Sequence, residues 1–117
     1  MEKKILVIDD DAKVRDYLFS LFTDNGYNVQ TAEDAEHGLD LARQITPDLV
    51  TLDIAMPGEW GPRFYHHLSR DPDLKGTPVV VISGLPGHEY AIQDAAACVS
   101  KPFDPDRLLQ IINDILN

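Results

Sequence analysis

Apolar positions along this chain fall into two alternating textures. Residues 4–8, 49–52, 78–82 and the briefer 98–100 form short, nearly unbroken apolar runs, whereas the stretches between them repeat an apolar residue every three or four positions. The runs predict strands covered on both faces, and the spaced stretches predict amphipathic helices. Val14, Leu18, Leu21 and Phe22 define the first helix, with Asp11 placed to cap it and Asn25-Gly26 placed to end it. Residues 27–32 alternate like a short strand, and residues 34–45 read as a helix with Leu39, Ala42 and Ile45 as its stripe, stopped by Thr46-Pro47. Helices are also predicted from about Pro62 to Arg70 and over residues 88–96. The last helix carries Asp104 as cap, Pro105 at its first position, Phe103 and Leu108 as a staple, and a stripe through Leu109, Ile112 and Leu116.

The order is therefore (βα)5, an α/β chain with a doubly wound parallel five-stranded sheet. Right-handed crossovers place its helices on both faces, which is why the strands read as continuous apolar runs. With 117 residues and no linker, repeat or low-complexity tract, residues 1–117 are expected to be a single domain. Twenty acidic residues against 10 basic ones give a formal charge of −10, which argues against direct binding to nucleic acid or an anionic membrane. The single cysteine, Cys98, excludes an internal disulfide and fits a reducing compartment. No apolar run is long enough to span a bilayer, so a cytoplasmic protein is expected.

The ends of the strands carry the chemistry. The first run leads into Asp9-Asp10-Asp11, the second into Asp53, the third into Ser83-Gly84 and the last into Lys101-Pro102. In a parallel sheet these ends share one edge, the edge where open α/β sheets bind ligands. Carboxylates gathered there repel one another unless a cation sits among them, and Mg²⁺ suits such a set because it prefers carboxylate, water and phosphate oxygens. One carboxylate can attack phosphorus to form an acyl phosphate, while a metal, an ammonium and a hydroxyl neutralise the equatorial oxygens. The residue types fit phosphoryl transfer.

Residues 6–11, 48–57, 80–84 and 100–103 resemble, in order and approximate spacing, the receiver domain of two-component response regulators, the CheY-like domains. The resemblance covers the whole chain. It implies a flavodoxin-like fold with strand order 2-1-3-4-5, Asp53 as phosphoacceptor, and a magnesium cluster of Asp9, Asp10 and Asp53 with the Ala55 carbonyl as a further ligand. It also implies that Ser83 supplies the mobile hydroxyl, that Lys101 pairs with a phosphoryl oxygen, and that the Lys101-Pro102 peptide is cis. The implied donor is a phosphohistidine on a histidine kinase or histidine phosphotransfer domain, and the implied recipient is a downstream effector protein or an output domain.

Two departures from the family pattern stand out. Cys98 replaces the aromatic residue usual three positions before the lysine, and a thiol cannot report activation by swinging a ring. The stretch from Ser83 to Lys101 is short by about one turn and holds Gly84, Pro86 and Gly87, so the fourth helix should be shortened. Rival readings are a pseudo-receiver that only docks and an aspartyl-phosphate phosphatase or phosphotransferase. The acidic cluster, Ser83 and Lys101 oppose the first; against the second, Ala55 occupies the place where such enzymes carry another acid. His66 and His67 are read as helix surface, His37 and His88 as lacking any partner pattern, Cys98 as a small apolar residue, and Trp60 as a candidate reporter of metal binding.

Overall fold

The computed structural model describes residues 2–53, 60–84 and 95–117, of residues 60–62 the backbone only. The expectations for Ala55, for the side chain of Trp60, for His88 and for nearly all of the fourth predicted helix lie outside the described residues. Five strands form one sheet: β1 (Lys4–Ile8), β2 (Asn28–Ala32), β3 (Leu49–Leu52), β4 (Val79–Ser83) and β5 (Ala97–Ser100). Their order is β2-β1-β3-β4-β5 and every pairing is parallel. The described helices are α1 (Ala12–Asp24), α2 (Ala35–Ile45), α3 (Trp60–Arg70) and α4 (Pro105–Leu116).

Alternate residues of each inner strand feed opposite layers. Ile5, Val7, Leu49, Val80 and Ile82 pack with Leu18 and Phe22 of α1 and with Leu108 and Ile112 of α4. Leu6, Ile8, Val50, Leu52, Val79 and Val81 pack with Ala35 and Ala42 of α2 and with Phe64 and Leu68 of α3. Every residue of β3 and β4 is buried, the physical counterpart of the unbroken apolar runs.

Asp11 and Asp104 cap where the sequence places them, and Asp34, expected as the first residue of its helix, is the cap of α2. Asp11 accepts from the Lys13 amide at 2.9 Å, Asp34 from the His37 amide at 2.8 Å, and Asp104 from the Asp106 amide at 3.0 Å. Helix α1 ends through Gly26 at φ +91°, a conformation open to glycine without steric penalty. Helix α2 ends on Thr46 at φ 43°, ahead of Pro47, whose ring keeps the preceding residue out of the right-handed helical region.

Three local expectations are corrected. The deepest contacts of α2 are Ala35, Gly38 and Ala42, with Leu39 and Ile45 only partly buried. A side chain on Gly38 would meet Ile8, its Cβ lying 2.5 Å from Ile8 Cδ1, so backbone proximity sets this face as much as apolar area does. Helix α3 begins at Trp60, two residues before Pro62, because proline is tolerated within a first helical turn. Finally, Ala95 and Ala96 are not the end of a helix: the Ala96 amide donates to the Val79 carbonyl at 2.8 Å and leads into β5.

Candidate functional site at the carboxyl edge of the sheet

The register of the sheet positions the acids before any side-chain contact is considered. Ile8 pairs with Ala32 on one side and Leu52 on the other, so Asp9 and Asp53 emerge together just past the ladder. The Asp9 amide donates to the Ala32 carbonyl at 3.1 Å and the Asp53 amide to the Ile8 carbonyl at 3.0 Å. Both backbones are thereby held by neighbouring strands, and both residues are nearly inaccessible, at 2% and 4% exposure. Asp10 is exposed, and one carboxylate oxygen from each of Asp9, Asp10 and Asp53 lies within 4.8 Å of the others.

The acidic triplet is thus divided in its duties. Asp9 and Asp10 face the cluster with Asp53, whereas Asp11 turns to the helix and caps α1. The Asp11 amide donates to Asp9 Oδ1 at 2.9 Å, which ties the cap to the site.

From the other half of the sheet come Ser83 and Lys101. Ser83 ends β4, is fully buried, and pairs in register with Ser100. Its carbonyl accepts from the Lys101 amide at 2.9 Å, extending the ladder one residue past β5. The Lys101 ammonium then reaches Asp9 Oδ2 at 3.0 Å and Asp53 Oδ2 at 3.3 Å. The Lys101-Pro102 peptide is cis, as the family resemblance implies.

Burial pushes the Asp9 carboxyl above the ordinary carboxylate range, and it outweighs the hydrogen bonds from Asp11 and Lys101 that favour ionisation; the charge of Asp53 adds to the rise. For Lys101, burial opposes the charge, but the hydrogen bond and charge of Asp9 and the charge of Asp53 prevail and hold its pKa above the usual value. Lys101 is therefore an ammonium at neutral pH. Among the described residues, one fixed cation faces three carboxylates, two of them buried, which leaves excess negative charge at the site. Hard oxygen donors at this spacing fit Mg²⁺, which takes one or two carboxylates and completes its shell with water and phosphate oxygens.

The family model "Response regulator receiver domain" matches residues 5–113. This chain belongs to that family. Among relatives, Protein Rrf1 of Nitratidesulfovibrio vulgaris is 36% identical over 99% of this chain and 84% of its own length. The phosphate regulon transcriptional regulatory protein PhoB of Escherichia coli is 29% identical over 99% of this chain, which spans only 52% of it. The structure of the Vibrio cholerae chemotaxis protein CheY4 superposes with a TM-score of 0.91 at 27% identity, covering 99% of this chain and 100% of that one. The receiver fold thus occurs both filling a protein and as half of a longer one.

Sequence reasoning brought Asp9, Asp10, Asp53, Ser83 and Lys101 to one edge, and the structure places them there. It passed over Arg15, whose guanidinium donates to the Asp9 carbonyl at 2.7 Å. It also found no partner for His37, whereas the imidazole lies against Glu33 and Asp34 near the start of α2. The spacing of four and three residues was the available signal.

Proposed function

We propose that this receiver domain is the phosphoacceptor of a two-component system, taking a phosphoryl group on Asp53 from a phosphohistidine of a histidine kinase or histidine phosphotransfer domain. The observation that carries the reading is the placement of Asp53: fixed by the Ile8 carbonyl, clustered with two further carboxylates, and 3.3 Å from the Lys101 ammonium. In the transfer, an Asp53 carboxylate oxygen forms a bond to phosphorus as the phosphorus–nitrogen bond breaks. The electron pair of that bond leaves on the imidazole, which takes up a proton.

Asp9, Asp10 and Asp53 would hold Mg²⁺, with the carbonyl of Ala55 as a further ligand. When bound, the ion supplies fixed positive charge against the phosphoryl oxygens. Lys101 supplies the second positive charge, and the Ser83 hydroxyl donates to the acyl phosphate once it forms. The domain catalyses only its own phosphorylation and dephosphorylation, and its product is a changed surface read by a downstream effector or an output domain. Such a role belongs in the cytoplasm, and residues 1–117 would form one domain. Direct nucleic-acid contact is disfavoured by the formal charge of −10. Among the described residues no helix is long and apolar enough to cross a membrane.

Intact-mass measurement after treatment with acetyl phosphate and Mg²⁺ tests the reading. Wild type gains one phosphoryl group and Asp53→Asn gains none. A gain that survives in Asp53→Asn, or a wild type that gains nothing, overturns the assignment.

A further inference from the structure

Arg15 lies on the first turn and a half of α1, and helical side chains lean toward the helix N-terminus. That lean carries its guanidinium back over the β1–α1 loop, where Nη1 donates to the Asp9 carbonyl at 2.7 Å. The ladder of β1 ends at Ile8 against both neighbours, so this carbonyl stands past the last paired residue. The Asp9 amide is held by the Ala32 carbonyl and the Asp9 carboxylate by the Asp11 amide and Lys101. Arg15 therefore pins the one remaining backbone group of Asp9, between that residue and Asp10. The peptide plane that it fixes sets the direction in which both carboxylates leave the chain.

We propose that Arg15 is a positioning residue for the cation site: by holding the Asp9 carbonyl it keeps the Asp9 and Asp10 carboxylates at ligand spacing. The inference rests on the reading of Asp9, Asp10 and Asp53 as cation ligands, and the bond of Arg15 is to the Asp9 backbone carbonyl, not to a carboxylate oxygen. Electrostatics alone predicts the opposite effect of its removal, because deleting a positive charge beside a cation site strengthens cation binding. The sign of the change therefore separates positioning from charge.

The experiment is a titration of ¹⁵N-labelled protein with Mg²⁺ alone, followed by amide chemical shifts, on wild type, Arg15→Gln, Arg15→Ala and Arg15→Lys. The expected result is a loss of Mg²⁺ affinity of about tenfold in the Gln and Ala variants, the size typical of removing a group that orients a metal ligand. Arg15→Lys retains a donor and recovers part of it. A urea unfolding curve without Mg²⁺ accompanies each variant. A lowered midpoint with unchanged Mg²⁺ affinity in the folded protein shows a merely structural role and overturns the inference, as does an affinity that rises. If Arg15→Ala does not fold, the Gln and Lys variants decide. Wild type with no saturable response removes the cation site itself, whereas wild type and variants that bind equally well remove only the role of Arg15.

Discussion

Thr51 offers the cleanest test of the energetics beneath the site. It lies on β3 two residues before Asp53, flanked in register by Val7 and Val80, and is 1% exposed. Among the described residues its Oγ1 has no hydrogen-bond partner. A buried hydroxyl in that condition carries a desolvation penalty of about 1–3 kcal/mol. Thr51→Val keeps the branched shape that suits a strand and replaces the hydroxyl with a methyl group among apolar neighbours. The variant should therefore be more stable by about 1–2 kcal/mol, the lower part of that range, since the denatured chain also gains an apolar group. Urea unfolding with an m-value of about 2 kcal/mol/M would show this as a midpoint raised by roughly 0.5–1 M. Thr51→Ser is the control, because it keeps the orphan hydroxyl and loses a buried methyl, and it should be less stable than wild type by about 1 kcal/mol. A Val variant that is less stable than wild type, with an unchanged m-value, would show that the hydroxyl is paired and the reasoning wrong.

Gly38→Ala sets two effects against each other: a gain of about 1 kcal/mol in helix propensity and an overpacking penalty of about 1–3 kcal/mol, since the new Cβ would lie 2.5 Å from Ile8 Cδ1. Denaturation should find a net loss of up to about 2 kcal/mol, and Ile8→Val in the same chain, by removing Cδ1, should make the pair less damaging than the sum of the single changes. The charge of Glu33, then that of Asp34, raises the pKa of His37 above 6.5, so NMR titration should find its imidazole still protonated where an ordinary histidine is neutral. Because the folded value is raised, the stabilisation is full at pH below the unfolded value and is lost as pH climbs through the folded one. Wild type should thus exceed His37→Gln in stability most in mild acid, and a difference that grows toward alkaline pH would contradict the assignment.

Much of the fold was legible because its signals are local or compositional. The inner strands of a sheet covered on both faces must be apolar throughout, and Asp11 and Asp104 announce helix starts by a chemistry that works over two residues. What escaped depends on partners distant in the chain. Gly38 carries no hydrophobic signal, and its burial follows from how closely α2 approaches Ile8 of β1. Ala95 and Ala96 have the highest intrinsic helix propensity, yet the Val79 carbonyl draws Ala96 toward the sheet, a tertiary bond overriding a local preference. Trp60 and Gly61 fall before the expected helix start at Pro62, although a helix can contain both glycine and proline in its first turn.

The same division runs through the site. Which residues gather could be read from the sequence, because parallel topology sends every strand's carboxyl end to one edge. How they touch could not. Lys101 follows β5, three inter-strand spacings or about 14 Å from β1, yet its ammonium is 3.0 Å from Asp9 and 3.3 Å from Asp53. The side chain must lie across the ends of β4 and β3 to get there. Its long apolar stem therefore crosses the edge where Ser83 and Asp53 emerge, and the charge arrives among the carboxylates at the cost of partial burial. Arg15, on α1, reaches the same stretch of chain but stops at a backbone carbonyl. Two cations near one cluster thus do different work: Lys101 sits among the carboxylates and balances charge, while Arg15 stays off them and fixes the chain that bears them.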